Sequence, residues 1–101
     1  MIGNDIVDLD LARKESNWKR KGFIEKIFSF QEQELIHNDS NPELMVWNLW
    51  SRKESAYKIY NRNTGVKGYF PWLLQCLYDD ENFGKVVIDD FILYTQTEIT
   101  D

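Results

Sequence analysis

The apolar positions of the chain follow two periods, one helical and one alternating, framed by a short apolar run at the start. Ile2, Ile6, Val7 and Leu9 gather around Gly3 and Asp5, which predicts a short buried strand over residues 2–7. Residues 9–21 read as a basic, partly helical segment ending near Gly22. Residues 23–28 read as a short amphipathic turn of helix. Ser29-Phe30-Gln31-Glu32 has the capping-box order, so a helix is expected from Phe30 to about His37. Asn38-Asp39-Ser40-Asn41 then supplies turn chemistry. Pro42 stands where a helix favours its first residue, with Asn41 as its cap. From Pro42 to about Asn61, Val46, Leu49, Trp50, Tyr57 and Tyr60 recur on one helical face, and Trp47, Ser51, Glu54 and Lys58 line a neighbouring one. Asn63-Thr64-Gly65 ends the run.

Beyond Pro71 the pattern alternates. Residues 72–78 and 85–90 read as strands joined by a turn over 79–84, and residues 94–100 as a third strand. Strand, helices, then strands predict a single α+β domain over residues 1–101. The sequence stops just after a strand-like run. That leaves three readings open: a compact version of a larger fold, a fragment shortened at its C-terminus, or a subunit of an oligomer.

Composition narrows the functional classes. The chain has 101 residues, 43% hydrophobic and 15% aromatic, enough for one packed core. A net charge of −5 argues against a non-specific nucleic-acid binder. The charge is uneven: Arg13, Lys14, Lys19, Arg20 and Lys21 cluster against one acid, Glu15, whereas Asp79, Asp80, Glu81, Asp89, Asp90, Glu98 and Asp101 make the C-terminal third acidic. The basic run fits either a solvated helix surface or a site for an anionic partner. Cys76 is the single cysteine, in an apolar stretch, and reads as a small core residue. His37, the one histidine, has no partner at ligand spacing and reads as structural or exposed. With no signal-peptide pattern and no membrane-length apolar run, the expectation is a cytoplasmic protein without membrane contact.

Candidate chemistry sits in two stretches, Ile2-Gly3-Asn4-Asp5-Ile6-Val7-Asp8 and Trp50-Ser51-Arg52-Lys53-Glu54-Ser55-Ala56-Tyr57-Lys58. Asp5 and Glu54 come from distant elements and can converge on one hard cation, with Lys58 one helical turn from Glu54. Taken singly, each residue has a plainer reading. Glu54 and Lys58 have the spacing of a surface ion pair, and Asp8 and Asp10 that of helix caps.

Taken together, the two stretches resemble the paired signature of the 4′-phosphopantetheinyl transferases: a Gly-x-Asp strand, here Gly3-x-Asp5, then a helix reading aromatic-small-x-Lys-Glu-Ala/Ser-x-x-Lys, here Trp50 to Lys58. Phe28-Ser29-Phe30-Gln31-Glu32 is similar to the Phe-(Ser/Thr)-x-x-Glu segment that lies between them. The resemblance spans residues 1 to about 70. Two departures stand out. Asn4 replaces the usual apolar residue between Gly and Asp, and the later Ser-x-Ser-His-like strand is absent or reduced to Thr95-Gln96-Thr97-Glu98-Ile99.

The resemblance implies a holo-acyl-carrier-protein-synthase type of enzyme that moves the 4′-phosphopantetheine of coenzyme A onto a serine of an acyl or peptidyl carrier protein, with Mg2+. In this sequence it implies Asp5 and Glu54, helped by Asp8, as metal ligands. Glu54, or a water it holds, would take the serine proton, and Lys58 would sit on the phosphates. Lys53 is a further candidate for coenzyme A, against an exposed helix lysine. Thr64 and Gly65 are candidates for the adenine border, against a plain helix C-cap. Arg13, Lys14, Arg20 and Lys21 resemble the basic helix with which relatives grip the carrier. The missing end implies self-association, a trimer being favoured, or a second half supplied by another chain, with residues 91–99 offering an unpaired edge or an apolar face. A non-catalytic module that keeps the fold and docks carriers is the alternative.

Overall fold

The computed structural model describes residues 2–15, 17–65, 68 and 70–100, and for Ile2, Gly3, Asp5 and Glu15 the backbone alone. A strand β1 (Ile2–Asp8) leads into helix α1 (Leu9–Glu15), followed by α2 (Phe23–Ile27), α3 (Phe30–Asn38) and the long α4 (Pro42–Thr64). A 3-10 turn (Pro71–Leu73) opens the second half, which continues as β2 (Gln75–Tyr78), β3 (Phe83–Ile88) and β4 (Phe91–Thr100). The strands form one sheet in the order β1-β4-β3-β2. The last three are antiparallel, and β1 joins parallel to β4 with Asp5 opposite Thr97. The fold is the expected α+β arrangement.

Local chemistry explains the element ends. Ser29 accepts a hydrogen bond from the Glu32 backbone N–H, and Glu32 accepts one from the Ser29 N–H, closing the capping box at α3. The Asn41 side chain caps α4 by accepting from the Leu44 N–H at 3.3 Å. Asp89, at φ 51°, and Asp90 make a two-residue hairpin between β3 and β4, a turn that requires a left-handed residue.

Several boundaries depart from the sequence expectation, among them the start of β4, which is Phe91 and not Tyr94. Helicity in the basic segment stops at Glu15, and residues 17–22 are loop and turn. Helix α4 continues three residues past Asn61. Residues 72–74 are not strand, because Pro71 starts a 3-10 turn and β2 begins only at Gln75. Gly84, expected in the turn, pairs with Thr95 and Tyr78 inside the sheet. A Cβ there would lie 2.7 Å from the Leu77 carbonyl oxygen and would run into the Arg52 guanidinium.

Helix α4 lies on one face of the sheet. Val46, Leu49 and Ala56 from the helix meet Val7, Leu74, Cys76, Val86 and Leu93 from the strands and their approaches, with Phe28 and Ile36 closing the core from the other side. Along β4, Leu93, Thr95 and Thr97 are buried while Ile92, Tyr94, Gln96 and Glu98 are exposed. The final strand is therefore no edge: it lies between β1 and β3. Its outward side joins Ile6, Leu77 and Phe83 in an exposed, largely apolar face, which agrees with the second half of that expectation. No helix among the described residues is long and apolar enough to cross a membrane.

Candidate functional site

The middle of α4 carries three consecutive charged residues with three different fates. Arg52 is fully buried; it donates hydrogen bonds to the carbonyls of Asp80 (2.7 Å), Glu81 (3.1 Å) and Phe83 (3.2 Å), with its guanidinium 4.8 Å from the Tyr78 ring centre. Lys53 is also fully buried. Its Nζ lies 2.7 Å from Glu32 Oε1 and donates to the carbonyls of Pro71 (2.6 Å) and Ile27 (3.0 Å). Glu54, the next residue, is half-buried and makes no hydrogen bond or ion pair with any described residue.

Lys53 therefore requires a correction. It is neither an exposed helix lysine nor free to reach coenzyme A, because all three of its protons are taken inside the protein. Its partner Glu32 is equally buried and also accepts from the Cys76 N–H at 2.6 Å and the Gln75 side chain at 3.5 Å. The sequence places Glu32 in the capping box and in the Phe-(Ser/Thr)-x-x-Glu segment, and neither reading gives its carboxylate a partner on another element. A second role was not legible, since one carboxylate oxygen serves the cap while the whole group faces a lysine 21 positions along the chain.

Lys58 is exposed and forms no ion pair with Glu54, so the plain surface-pair reading of that spacing does not hold. The carboxylate and the ammonium are both available to a ligand. The Asp5 backbone lies in β1, which packs along α4, but the expected approach of its carboxylate to Glu54 falls on a side chain outside the described residues. Asp8, one residue before α1, is exposed and accepts from the Leu11 N–H at 3.1 Å, so the cap reading is realised. A second carboxylate oxygen remains.

Between β1, α1 and α4 lies a groove of about 170 Å³ lined by Val7, Asp8, Leu11, Ala12, Trp47, Trp50 and Ser51, with Ile6 at its rim. Ser51 is one turn before Glu54 on α4, and Glu54 itself does not line the groove. It is smaller than the roughly 300–1,000 Å³ of cofactor-sized clefts. A larger hollow of about 580 Å³ runs over Asn4, Ile6, Gln96 and Glu98 beside Glu81 and Asn82. It carries acids and no basic side chain, so a polyanion is poorly matched to it.

The basic run is divided among partners. Arg13 pairs with Glu43 of α4, Lys14 with Asp10 at 3.6 Å, and Arg20 stacks on the Phe23 ring at 5.6 Å. Lys21 is exposed in the turn before Gly22. The four cations remain on one surface segment, and Arg13 and Lys14 have part of their charge offset. At the far end of α4, Thr64 Oγ1 donates to the Tyr60 carbonyl at 2.7 Å, and Gly65, at φ 73°, donates to the Asn61 carbonyl at 2.9 Å. That is a helix C-cap, and both residues are exposed. Burial pushes the Cys76 thiol far above the ordinary range, with the Glu32 carboxylate adding to the effect, so it is an inert core thiol as expected.

Among the described residues, no group of three or more His, Cys, Asp or Glu side chains is placed to hold a metal. The donor chemistry around Glu54 nevertheless suits a hard cation. Glu54 is a half-buried carboxylate with no internal partner, and Asp8 keeps an oxygen free of its cap.

Comparison with known proteins agrees with the sequence signature. The family model described as the 4′-phosphopantetheinyl transferase superfamily matches residues 1–97. A holo-[acyl-carrier-protein] synthase from Caldanaerobacter subterraneus subsp. tengcongensis is 28% identical over 87 residues, covering 86% of this chain and 66% of that protein. The chain thus spans just under two thirds of the length of this curated relative. No solved structure matches.

Proposed function

Because the chain belongs to the 4′-phosphopantetheinyl transferase superfamily, we propose that it transfers the 4′-phosphopantetheine group of coenzyme A to a serine of an acyl or peptidyl carrier protein, in the cytoplasm. The observation that carries this reading is Glu54: a half-buried carboxylate, unpaired among the described residues, on a helix packed against the strand that bears Asp5. Transfer breaks a pyrophosphate linkage, and negative charge grows on the departing phosphate. A Mg2+ ion held by Asp5 and Glu54, with Asp8 reaching it directly or through water, would offset that charge. Glu54, or a water it orients, accepts the proton of the attacking serine. Lys58, one turn further along α4 and exposed, sits on the phosphates as a point charge. Lys14, Arg20 and Lys21, together with Arg13, present a cationic edge to an acidic carrier.

The small groove and the exposed outer sheet face support a further part of the proposal. A second copy of the chain, or another polypeptide, covers Ile92, Tyr94 and their neighbours, and a partner's residues reaching the small groove on the opposite, α4 side complete the coenzyme A site. A docking module without catalysis remains the competing reading. Mass spectrometry of an apo carrier protein incubated with this chain, coenzyme A and Mg2+ decides between them. A transferase adds one phosphopantetheine per carrier, whereas carrier binding without any mass gain establishes the docking module.

A further inference from the structure

We propose that Glu32 and Lys53 are positioning residues that set the direction of Glu54, an inference that rests on the transferase reading above. Their pair is wholly buried and completely satisfied. The Lys53 ammonium donates to Glu32, Ile27 and Pro71, and the Glu32 carboxylate accepts from Lys53, Ser29, Cys76 and Gln75. Removing two charges from water is costly, and apolar residues of similar volume often stabilise a core as well or better. Stability by itself is therefore a weak account of a charged pair here.

What the pair does supply is a fixed point. At one place it joins the end of α2, the start of α3, the middle of α4, the 3-10 turn and the first strand of the second half. Arg52, the residue before Lys53, is anchored separately to the carbonyls of the β2–β3 turn. Successive helical side chains project about 100° apart. Two neighbouring cations held in two different places thus lock the rotation of α4 about its axis. Glu54 is the next residue, so its direction follows from theirs. If α4 is free to roll, the carboxylate swings relative to β1 although its own side chain is untouched.

The test is the double variant Glu32→Gln/Lys53→Met, which removes both charges at similar volume, with Glu32→Gln alone as the milder change. Mn2+ binding followed by electron paramagnetic resonance, and kcat and KM for the carrier, are read beside near-ultraviolet circular dichroism. The double variant should fold, bind Mn2+ about tenfold more weakly and lose kcat, with KM for the carrier unchanged. Glu32→Gln alone should move the same two readouts in the same direction. A folded variant with parental Mn2+ affinity and kcat overturns the positioning role while leaving the transferase reading intact. If neither variant folds, the pair is a stability element and the proposal is likewise overturned. A parent chain that neither binds Mn2+ nor transfers overturns the transferase reading, and the inference with it.

Discussion

Lys53 Nζ and Glu32 Oε1 lie 2.7 Å apart with both side chains at 0% exposure. The residue beside this buried pair, Glu54, is half-buried, and its carboxylate makes no hydrogen bond or ion pair with any described residue. One helix thus holds a structural cation and a candidate functional anion at consecutive positions, and they respond differently to substitution.

Lys53→Ala leaves the Glu32 carboxylate buried without its counter-ion. Removing one partner of such a pair costs about 3–5 kcal/mol. Urea unfolding should show a loss of that order, and a loss below about 1 kcal/mol would mean the pair is solvated in solution.

Glu54→Gln should do the reverse. It leaves the melting temperature nearly unchanged, because Glu54 makes no hydrogen bond or ion pair within the described protein, and it abolishes phosphopantetheine transfer. Full transfer by this variant would remove Glu54 from the site.

Gly84→Ala places a methyl group against the Arg52 guanidinium and 2.7 Å from the Leu77 carbonyl oxygen. Strain of this kind typically costs about 1–3 kcal/mol. Combining it with Arg52→Met in a double-mutant cycle should give a non-additive effect, since one side chain is common to both changes. Strict additivity would place the clash elsewhere.

Lys14→Glu with Lys21→Glu should raise the KM for the carrier at low salt, and the difference should shrink as ionic strength rises. These two cations are preferable to Arg13, whose bridge to Glu43 ties α1 to α4, whereas the Lys14–Asp10 pair is exposed and lies within one helix. A KM that ignores both charge and salt would make the basic run a plain solvated surface.

Cys76 governs part of the alkaline stability. Its thiol pKa is raised in the fold above the ordinary value of 9.0, chiefly by burial. Above about pH 9 the unfolded chain loses this proton and the folded chain keeps it, so the unfolded state binds fewer protons and stability falls as pH rises. The contribution is fully present below pH 9. The slope is about 1.4 kcal/mol per pH unit, and Cys76→Ala should lack it. Equal slopes in the two proteins between pH 9 and 10.5 would show that the thiol is solvent-accessible.

The helix caps, the hairpin order and the α+β class were legible because each rests on neighbours in sequence: Ser29 with Glu32, Asn41 with Pro42, and the alternation of β4. The paired signature around Asp5 and Glu54 was legible as a family pattern for the same reason. Local pattern misjudged residues 72–74, where a proline and a captured carbonyl outweigh strand propensity, and Gly84, whose missing side chain makes room for a guanidinium from α4.

Sequence by itself determined which residues carry charge and how they are spaced along α4. Arg52, Lys53, Glu54 and Lys58 all look like surface residues of an amphipathic helix when read along the chain. Only the tertiary structure decided that Arg52 and Lys53 are buried, because the groups that make burial tolerable for them are the Glu32 carboxylate and the carbonyls of Ile27, Pro71, Asp80, Glu81 and Phe83. Those lie on other elements. A charge can enter a core only where such partners converge, and convergence is a property of the fold.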